Sequence, residues 1–272
     1  MWQEIIKAIL FGILEGVTEW LPISSTGHLI LLNDVLCLSM RPAVLELFEV
    51  VIQLGAILAV AVLFWQTLNP FTRTKSKAER AAAFALWGKV LVAVLPSVVL
   101  GFLLDDFLNV HFYNAPVVAA MLIVYGVAFL LVERRAQIPK TLSVEDVTPR
   151  TALGVGLFQV LAMIPGTSRS GATILGGVLL GLSRPAAAEF SFFLGIPTMA
   201  GAGLLKAVKF FAAGERLTPS DGILLGIGTL TAFWVSLVVI RFLMDFVRRR
   251  SFAPFGVYRI ALGAAVLVLH FV

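Results

Sequence analysis

In a chain poor in ionisable groups, five side chains are placed where they can act together: two glutamates, a serine, a histidine and an arginine. Glu15 and Glu19 are four residues apart, so a helix carries both on one face. Paired carboxylates in a confined site suit a divalent cation or a proton transfer. Ser24-Ser25-Thr26-Gly27-His28 follows directly after Pro22. A proline followed by hydroxyls and glycine ends one helix and caps the next. The free amides at that new helix start favour an anion, and the hydroxyls add donors. His28 lies three residues beyond Ser25, close enough on one turn to activate its hydroxyl or shuttle a proton. A second segment, Gly166-Thr167-Ser168-Arg169-Ser170-Gly171, has the same build. Its glycines permit close backbone approach, and Arg169 presents a planar fork matched to phosphate oxygens. Two such helix ends facing each other make a pocket for a phosphorylated group. Glu49 with Gln53 repeats the four-residue spacing, and Glu189 is the counterpart of Glu49 further along. These three either line the same cavity or cap helix starts. His111 and His270 fall at a loop and at the chain end, and are not assigned to the site.

The elements that position these residues must lie in a bilayer. Of 272 residues, 59% are hydrophobic and 14% charged, and the mean hydropathy is +0.97. Soluble domains are nearer half apolar and a quarter charged. Six stretches are long enough to cross about 30 Å of hydrocarbon as helices: Leu47–Trp65, Leu86–Leu104, Ala115–Val132, Pro185–Leu205, Gly222–Ile240 and Phe255–Val272. Trp20, Trp65 and Trp87 are expected to anchor at the interface. The net charge of +5 and pI of about 9.7 reflect basic loops. No basic patch with interleaved aromatics points to nucleic acid. The single cysteine, Cys37, rules out an intrachain disulfide or a cysteine metal site. The start Met-Trp-Gln-Glu-Ile-Ile-Lys reads as part of the first helix rather than a removable leader.

Self-similarity organises the rest. Gly12–Leu29 (GILEGVTEWLPISSTGHL) and Gly156–Thr173 (GLFQVLAMIPGTSRSGAT) align, with Glu15 opposite Gln159. The match continues from Leu38–Ala43 to Leu182–Ala186, and from Phe48-Glu49 with Leu54-Gly55 to Ala188-Glu189 with Leu194-Gly195. An internal duplication follows, with one repeat over about residues 1–133 and the other over about 150–272, in a single membrane domain. In each copy an apolar run broken near a proline is followed by one too short to cross, which predicts a re-entrant helical hairpin. If both hairpins return to their own side, the loop charges divide. One side takes Arg73, Lys75, Lys77, Arg80, Arg134, Arg135, Lys140, Arg150, Arg184, Arg248, Arg249 and Arg250. The other takes Lys7, Arg41, Lys206, Lys209 and Arg216, with Asp105 and Asp106. The positive-inside rule makes the first side cytoplasmic. The predicted fold is therefore an all-α polytopic membrane protein, an inverted-topology repeat of six transmembrane helices and two re-entrant hairpins. That build also serves secondary transporters, so movement of a polyprenyl phosphate is the alternative to catalysis.

At its motifs the chain closely resembles the bacterial undecaprenyl-diphosphate phosphatase family, membrane enzymes associated with bacitracin resistance. The resemblance rests on Glu15-Gly16-Val17-Thr18-Glu19-Trp20-Leu21-Pro22-Ile23-Ser24-Ser25-Thr26-Gly27-His28 and Pro165-Gly166-Thr167-Ser168-Arg169-Ser170-Gly171-Ala172-Thr173. Phe48–Gly55 is also similar, and the likeness runs over essentially the whole length. It implies hydrolysis of undecaprenyl diphosphate to the monophosphate and inorganic phosphate, which recycles a lipid carrier for peptidoglycan. It also implies a divalent cation, magnesium or calcium, and residence in the bacterial cytoplasmic membrane; the charge division predicts a site open to the outer face. By the same resemblance Glu19, Ser25, His28 and Arg169 are catalytic. The resemblance also puts Glu15, Ser24 and Thr26 in the same site. By the chemistry of the residues themselves Glu15 and Glu19 are expected to place the metal, and Ser24, Thr26, Gly27, Thr167, Ser168, Arg169 and Ser170 to hold the diphosphate. Ser25 either attacks phosphorus itself or binds phosphate while water attacks.

Overall fold

Apolar runs bounded by capping residues set the helices. The structure is a computed structural model that describes residues 1–112, 114–135 and 138–271. Eleven α-helices follow in order: α1 (Trp2–Thr18), α2 (Ser25–Leu36), α3 (Pro42–Leu63), α4 (Trp65–Leu68), α5 (Lys77–Phe112), α6 (Ala115–Arg134), α7 (Pro149–Val160), α8 (Arg169–Leu179), α9 (Arg184–Ala212), α10 (Pro219–Arg249) and α11 (Ala253–Phe271). No strand occurs among the described residues. Several starts carry the cap chemistry their sequence announces. Asn114, Thr148, Ser183 and Thr218 each accept an amide two or three residues into the helix, and each is followed closely by proline. Thr218 and Asp221 complete a reciprocal capping box.

Five helices are long and apolar enough to cross a bilayer: α3, Lys77–Gly101 of α5, α6, α9 and α10. The expected sixth span lies in α11, whose apolar run Ala253–Leu269 is shorter. The chain is a multi-pass membrane protein.

Side-chain bonds gather the helix ends into two groups. At one end, Ser39 donates to Glu4 and Lys7 donates to the Cys37 carbonyl, so the start of α1 meets the end of α2. Arg41, Glu215 and Asp221 join the starts of α3 and α10 to the loop after α9. Lys206 pairs there with Glu46. At the other end, Arg184 grips Glu133 through two nitrogens, and Glu133 also accepts from the Phe252 amide at 2.9 Å. The residues before α7 meet the end of α8, where the Lys140 and Thr141 amides donate to the Gly181 carbonyl. Thus α1–α2 and α7–α8 are two helical hairpins that open at opposite ends. Arg41, Lys206 and Arg216 fall at one end and Arg184 at the other, as the charge division has them. The side chains of Asp105, Asp106 and His270 lie outside the described residues.

The packing crosses between the halves: α1 lies along α10, α7 along α5, α3 against both α9 and α10, and α6 along α11. Small residues permit the close approach, as in membrane helix pairs generally. A methyl group on Gly12 would sit 2.5 Å from the Gly228 carbonyl, and one on Gly16 2.8 Å from that of Ala232. At Gly156, the counterpart of Gly12, it would meet the Ala93 carbonyl at 2.2 Å.

Candidate active site

The two hairpin tips are built alike. Helix α1 ends at Thr18, with Glu19 as its helical cap residue, and the chain turns through Pro22 to Ser24. Ser24 and Ser168 cap α2 and α8, and both adopt positive φ, 77° and 71°. Their hydroxyls accept the Gly27 and Gly171 amides at 3.4 and 3.1 Å. A non-glycine residue in that backbone region is strained by about 1–3 kcal/mol and persists only where its surroundings enforce it. Here it occurs at both hairpin tips.

The residues after these caps, Ser25 and Arg169, are the first of their helices, and they converge on one carboxylate. The Ser25 hydroxyl donates to Glu19 Oε2 at 2.7 Å, and Arg169 Nη2 pairs with Glu19 Oε1 at 2.8 Å. Arg169 is fixed further by the Ser191 carbonyl at 2.7 Å and lies over the Trp20 ring at 5.8 Å. Ser170 donates to the Glu19 carbonyl at 2.9 Å, and Ser168 and Ser170 lie 3.2 Å apart. Glu19 and Ser25 are buried and Arg169 is nearly so. The predicted catalytic residues Glu19, Ser25 and Arg169 therefore meet at the junction of the two tips. Ser24, Gly27, Thr167, Ser168 and Ser170 surround the junction; Thr26 is half-buried on the first turn of α2.

His28 takes another course. Its Nδ1 lies 2.7 Å from the Ser24 carbonyl, which can only accept, so Nδ1 carries the proton. Nε2 then faces the Tyr258 hydroxyl at 2.6 Å, with the two rings parallel. The ring is buried beside Ser25, but the bond to the Ser25 hydroxyl belongs to Glu19.

Several buried polar groups in this cluster have no hydrogen-bond partner among the described residues: both Glu15 carboxylate oxygens, Thr167 Oγ1, Arg169 Nε and Trp20 Nε1. Such groups cost about 1–3 kcal/mol each when left unmade, more if charged, so each calls for a partner. The repeat supplies a control: Gln159, at the place of Glu15, is satisfied by Ser97 at 2.9 Å and Thr198 at 3.3 Å. Among the described residues no three His, Cys, Asp or Glu side chains gather to cage a metal. Magnesium is commonly held by one or two carboxylates together with substrate phosphates. The unpartnered Glu15, one turn from Glu19, fits an ion shared with a bound diphosphate in that way.

Glu49 is half-buried and within electrostatic reach of Glu15, and Gln53 follows one turn later on α3. Glu189 instead has Glu145 and Arg248 as its charged neighbours. His111 caps its own helix by bonding the Phe107 carbonyl. One expectation is corrected: Trp20 is no interfacial anchor but wholly buried, edge-on to Phe192 and beneath Arg169. Its position in the turn between α1 and α2 faces inward, because that turn sits among other helices. Trp65 is half-exposed, and Trp87 donates to the Leu68 carbonyl.

Sequence reasoning missed Arg259, in α11. Its side chain is fully buried, donating to the carbonyls of Pro22 (3.0 Å), Gly166 (2.8 Å), Thr167 (2.9 Å) and Met121 (3.4 Å). The signal was present: an arginine inside an apolar span costs about 2.5–3.5 kcal/mol on insertion scales and needs a reason.

The chain is similar to known proteins over nearly its whole length. Residues 8–265 match the family described as bacitracin resistance protein BacA. An undecaprenyl-diphosphatase of Enterococcus faecalis is 51% identical over 269 residues, covering 98% of each chain. The protein of that name from Streptococcus mutans is 54% identical over 270 residues, covering 98% of this chain and 96% of its own. That of one Streptococcus thermophilus strain is 52% identical over 266 residues, 97% and 92%. Matched from Ala8 to Gly263 and beyond, with both hairpin tips inside the match, this chain belongs to the BacA bacitracin-resistance family.

Proposed function

We propose that this protein hydrolyses undecaprenyl diphosphate to undecaprenyl phosphate and inorganic phosphate, recycling a lipid carrier for peptidoglycan and conferring bacitracin resistance. The names of its close relatives support the reaction. The observation that carries the chemistry is the Ser25–Glu19–Arg169 cluster, held where two helix N-termini meet.

Ser25 is the nucleophile. Its 2.7 Å bond to Glu19 lies within general-base reach, so the hydroxyl proton passes to Glu19 as Oγ attacks the terminal phosphorus. The bridging P–O bond breaks, and its electron pair leaves with the lipid monophosphate. Water then attacks the phosphorus of the phosphoserine. As the bond from phosphorus to Ser25 Oγ breaks, Glu19 returns its proton to Oγ, and the carboxylate so freed takes the proton of the attacking water, leaving inorganic phosphate. Arg169, the amides of both tips and the hydroxyls of Ser24, Thr26, Thr167, Ser168 and Ser170 hold the phosphoryl oxygens and stabilise their charge. Glu15, with Glu19, would hold a magnesium or calcium ion, which when bound supplies Lewis-acid polarisation of phosphate oxygens. Glu49 and Gln53 line the approach.

The two hairpins are read as re-entrant and the halves as an inverted repeat. Hairpins opening at opposite ends, and α1–α10 packing mirrored by α5–α7, support this reading. Six spans result, α11 being the sixth. Positive-inside bias favours the bacterial cytoplasmic membrane, with the Arg184 end in the cytoplasm and the diphosphate entering from the outer face. The isoprenoid tail lies against the apolar helix faces.

The test is phosphate release from undecaprenyl diphosphate by the purified protein, with and without magnesium or calcium, beside Ser25→Ala. Metal-dependent release lost in the folded variant, with phosphate trapped on Ser25 in quenched wild type, is the expected result. Full activity of Ser25→Ala would end the covalent route. Lipid binding without release under any metal would move the reading to a polyprenyl-phosphate transporter.

A further inference from the structure

Arg259 stands at the join of the two repeats. Nη1 holds the Pro22 carbonyl in the first tip, and Nη2 holds the Gly166 and Thr167 carbonyls in the second. Pro22 lies two residues before the Ser24 cap, and Thr167 directly before the Ser168 cap. Nη2 also reaches the Met121 carbonyl of α6, and the guanidinium lies 5.5 Å over the Tyr125 ring. All four bonded partners among the described residues are carbonyl oxygens, so the cation's hydrogen bonds go to backbone. One rigid fork thus sets the spacing between the α2 and α8 N-termini, and with it the spacing of Ser25 from Arg169.

We propose that Arg259 is a positioning residue for the phosphoryl-transfer site, clamping the two hairpin tips at the separation the reaction needs. The proposal rests on the hydrolase reading. Arg259 does not touch the reacting atoms; it acts through the two loops. Its shape matters more than its charge. Lysine keeps the charge but has a single nitrogen and cannot grip both loops with one planar fork. Its own tip groups are tightly packed: a methyl on Gly171 would come within 3.1 Å of Arg259 Nη1.

The experiment compares wild type, Arg259→Lys and Arg259→Gln in detergent or nanodiscs. It follows phosphate release, thermal unfolding, and amide hydrogen exchange read separately at Ser24–His28 and Ser168–Ala172. Expected in both variants is a fall in kcat of about a hundredfold, the scale of an ångström-sized misplacement, with KM nearly unchanged. Exchange should quicken at both tips together while α3 and α10 keep their protection. Wild-type kcat in the lysine variant would overturn the clamp, since charge alone would then suffice. So would faster exchange at only one tip, or a loss confined to KM. If the glutamine variant does not fold, the lysine variant decides, because it loses only the fork. Absence of phosphate release by wild type would refute the hydrolase reading, while exchange at the two tips would still decide for or against the clamp.

Discussion

Replacing Gly195 with alanine puts pressure on Arg169 without touching any polar group. A methyl there would lie 2.8 Å from both Nη1 and Nη2 of Arg169 and 2.9 Å from Cζ. Ordinary contact needs about 3.5 Å, so the guanidinium must retreat by about 0.7 Å. It cannot do so and keep its bonds to Glu19 Oε1 and the Ser191 carbonyl, at 2.8 and 2.7 Å. A displacement approaching an ångström in a phosphate-holding side chain costs about a hundredfold in rate. Stability runs the other way. Gly195 is inside α9, where alanine is favoured over glycine by about 0.8–1.0 kcal/mol, an amount that the strained contact offsets in part. The expected variant is folded, melts near wild type, and releases phosphate about a hundredfold more slowly. Gly201→Ala, on the same helix with no atom within 4 Å of the added methyl, serves as the control and should keep full activity. Wild-type turnover by Gly195→Ala would refute the placement of Arg169 at the reacting phosphate.

Glu15→Gln removes a buried, unpartnered carboxylate while keeping its volume. The concentration of magnesium or calcium giving half-maximal phosphate release should rise about tenfold or more, as for loss of a ligand or its support; an unchanged metal dependence would separate Glu15 from the ion. Glu133→Ala breaks the bond to the Phe252 amide and the pair with Arg184, far from the site. Because Arg184 is 43% exposed, most of the loss comes from the unmet buried amide, about 1–2 kcal/mol. Thermal unfolding should fall accordingly while kcat stays within about twofold, on the reasoning that surface-end pairs do not reach the tips.

The residues that proved legible in sequence were those whose local chemistry repeats. Pro22 and Pro165 mark helix ends, the serines after them cap new helices, and the aligned motifs set Ser25 opposite Arg169. The bonding among them was not legible. Three-residue spacing brings Ser25 and His28 onto neighbouring positions, but side chains on a helix lean toward its N-terminus. His28 accordingly turns back to the Ser24 carbonyl, leaving Ser25 to Glu19, a partner six residues earlier across the turn. Arg259 and Tyr258 escaped because their partners lie more than 90 residues away in sequence and α11 carries no motif of its own. Trp20 was misplaced for a related reason: tryptophan beside a helix break reads as interfacial until other helices are known to enclose the break.

The crossed packing of the halves has a consequence for how the molecule is made. Helix α1 presents Gly12 and Gly16 to a partner, α10, that begins only at Pro219. With about 200 residues still to be synthesised at about 5–20 per second, α1 waits about 10–40 s for the surface it fits. For most of that interval the first hairpin holds its carboxylates and hydroxyls in the membrane without the second tip, and for all of it without Arg259. Biogenesis of this protein is therefore a late closure. The candidate site, which draws on the first tip, the second tip and Arg259, is complete only once α11 has been made.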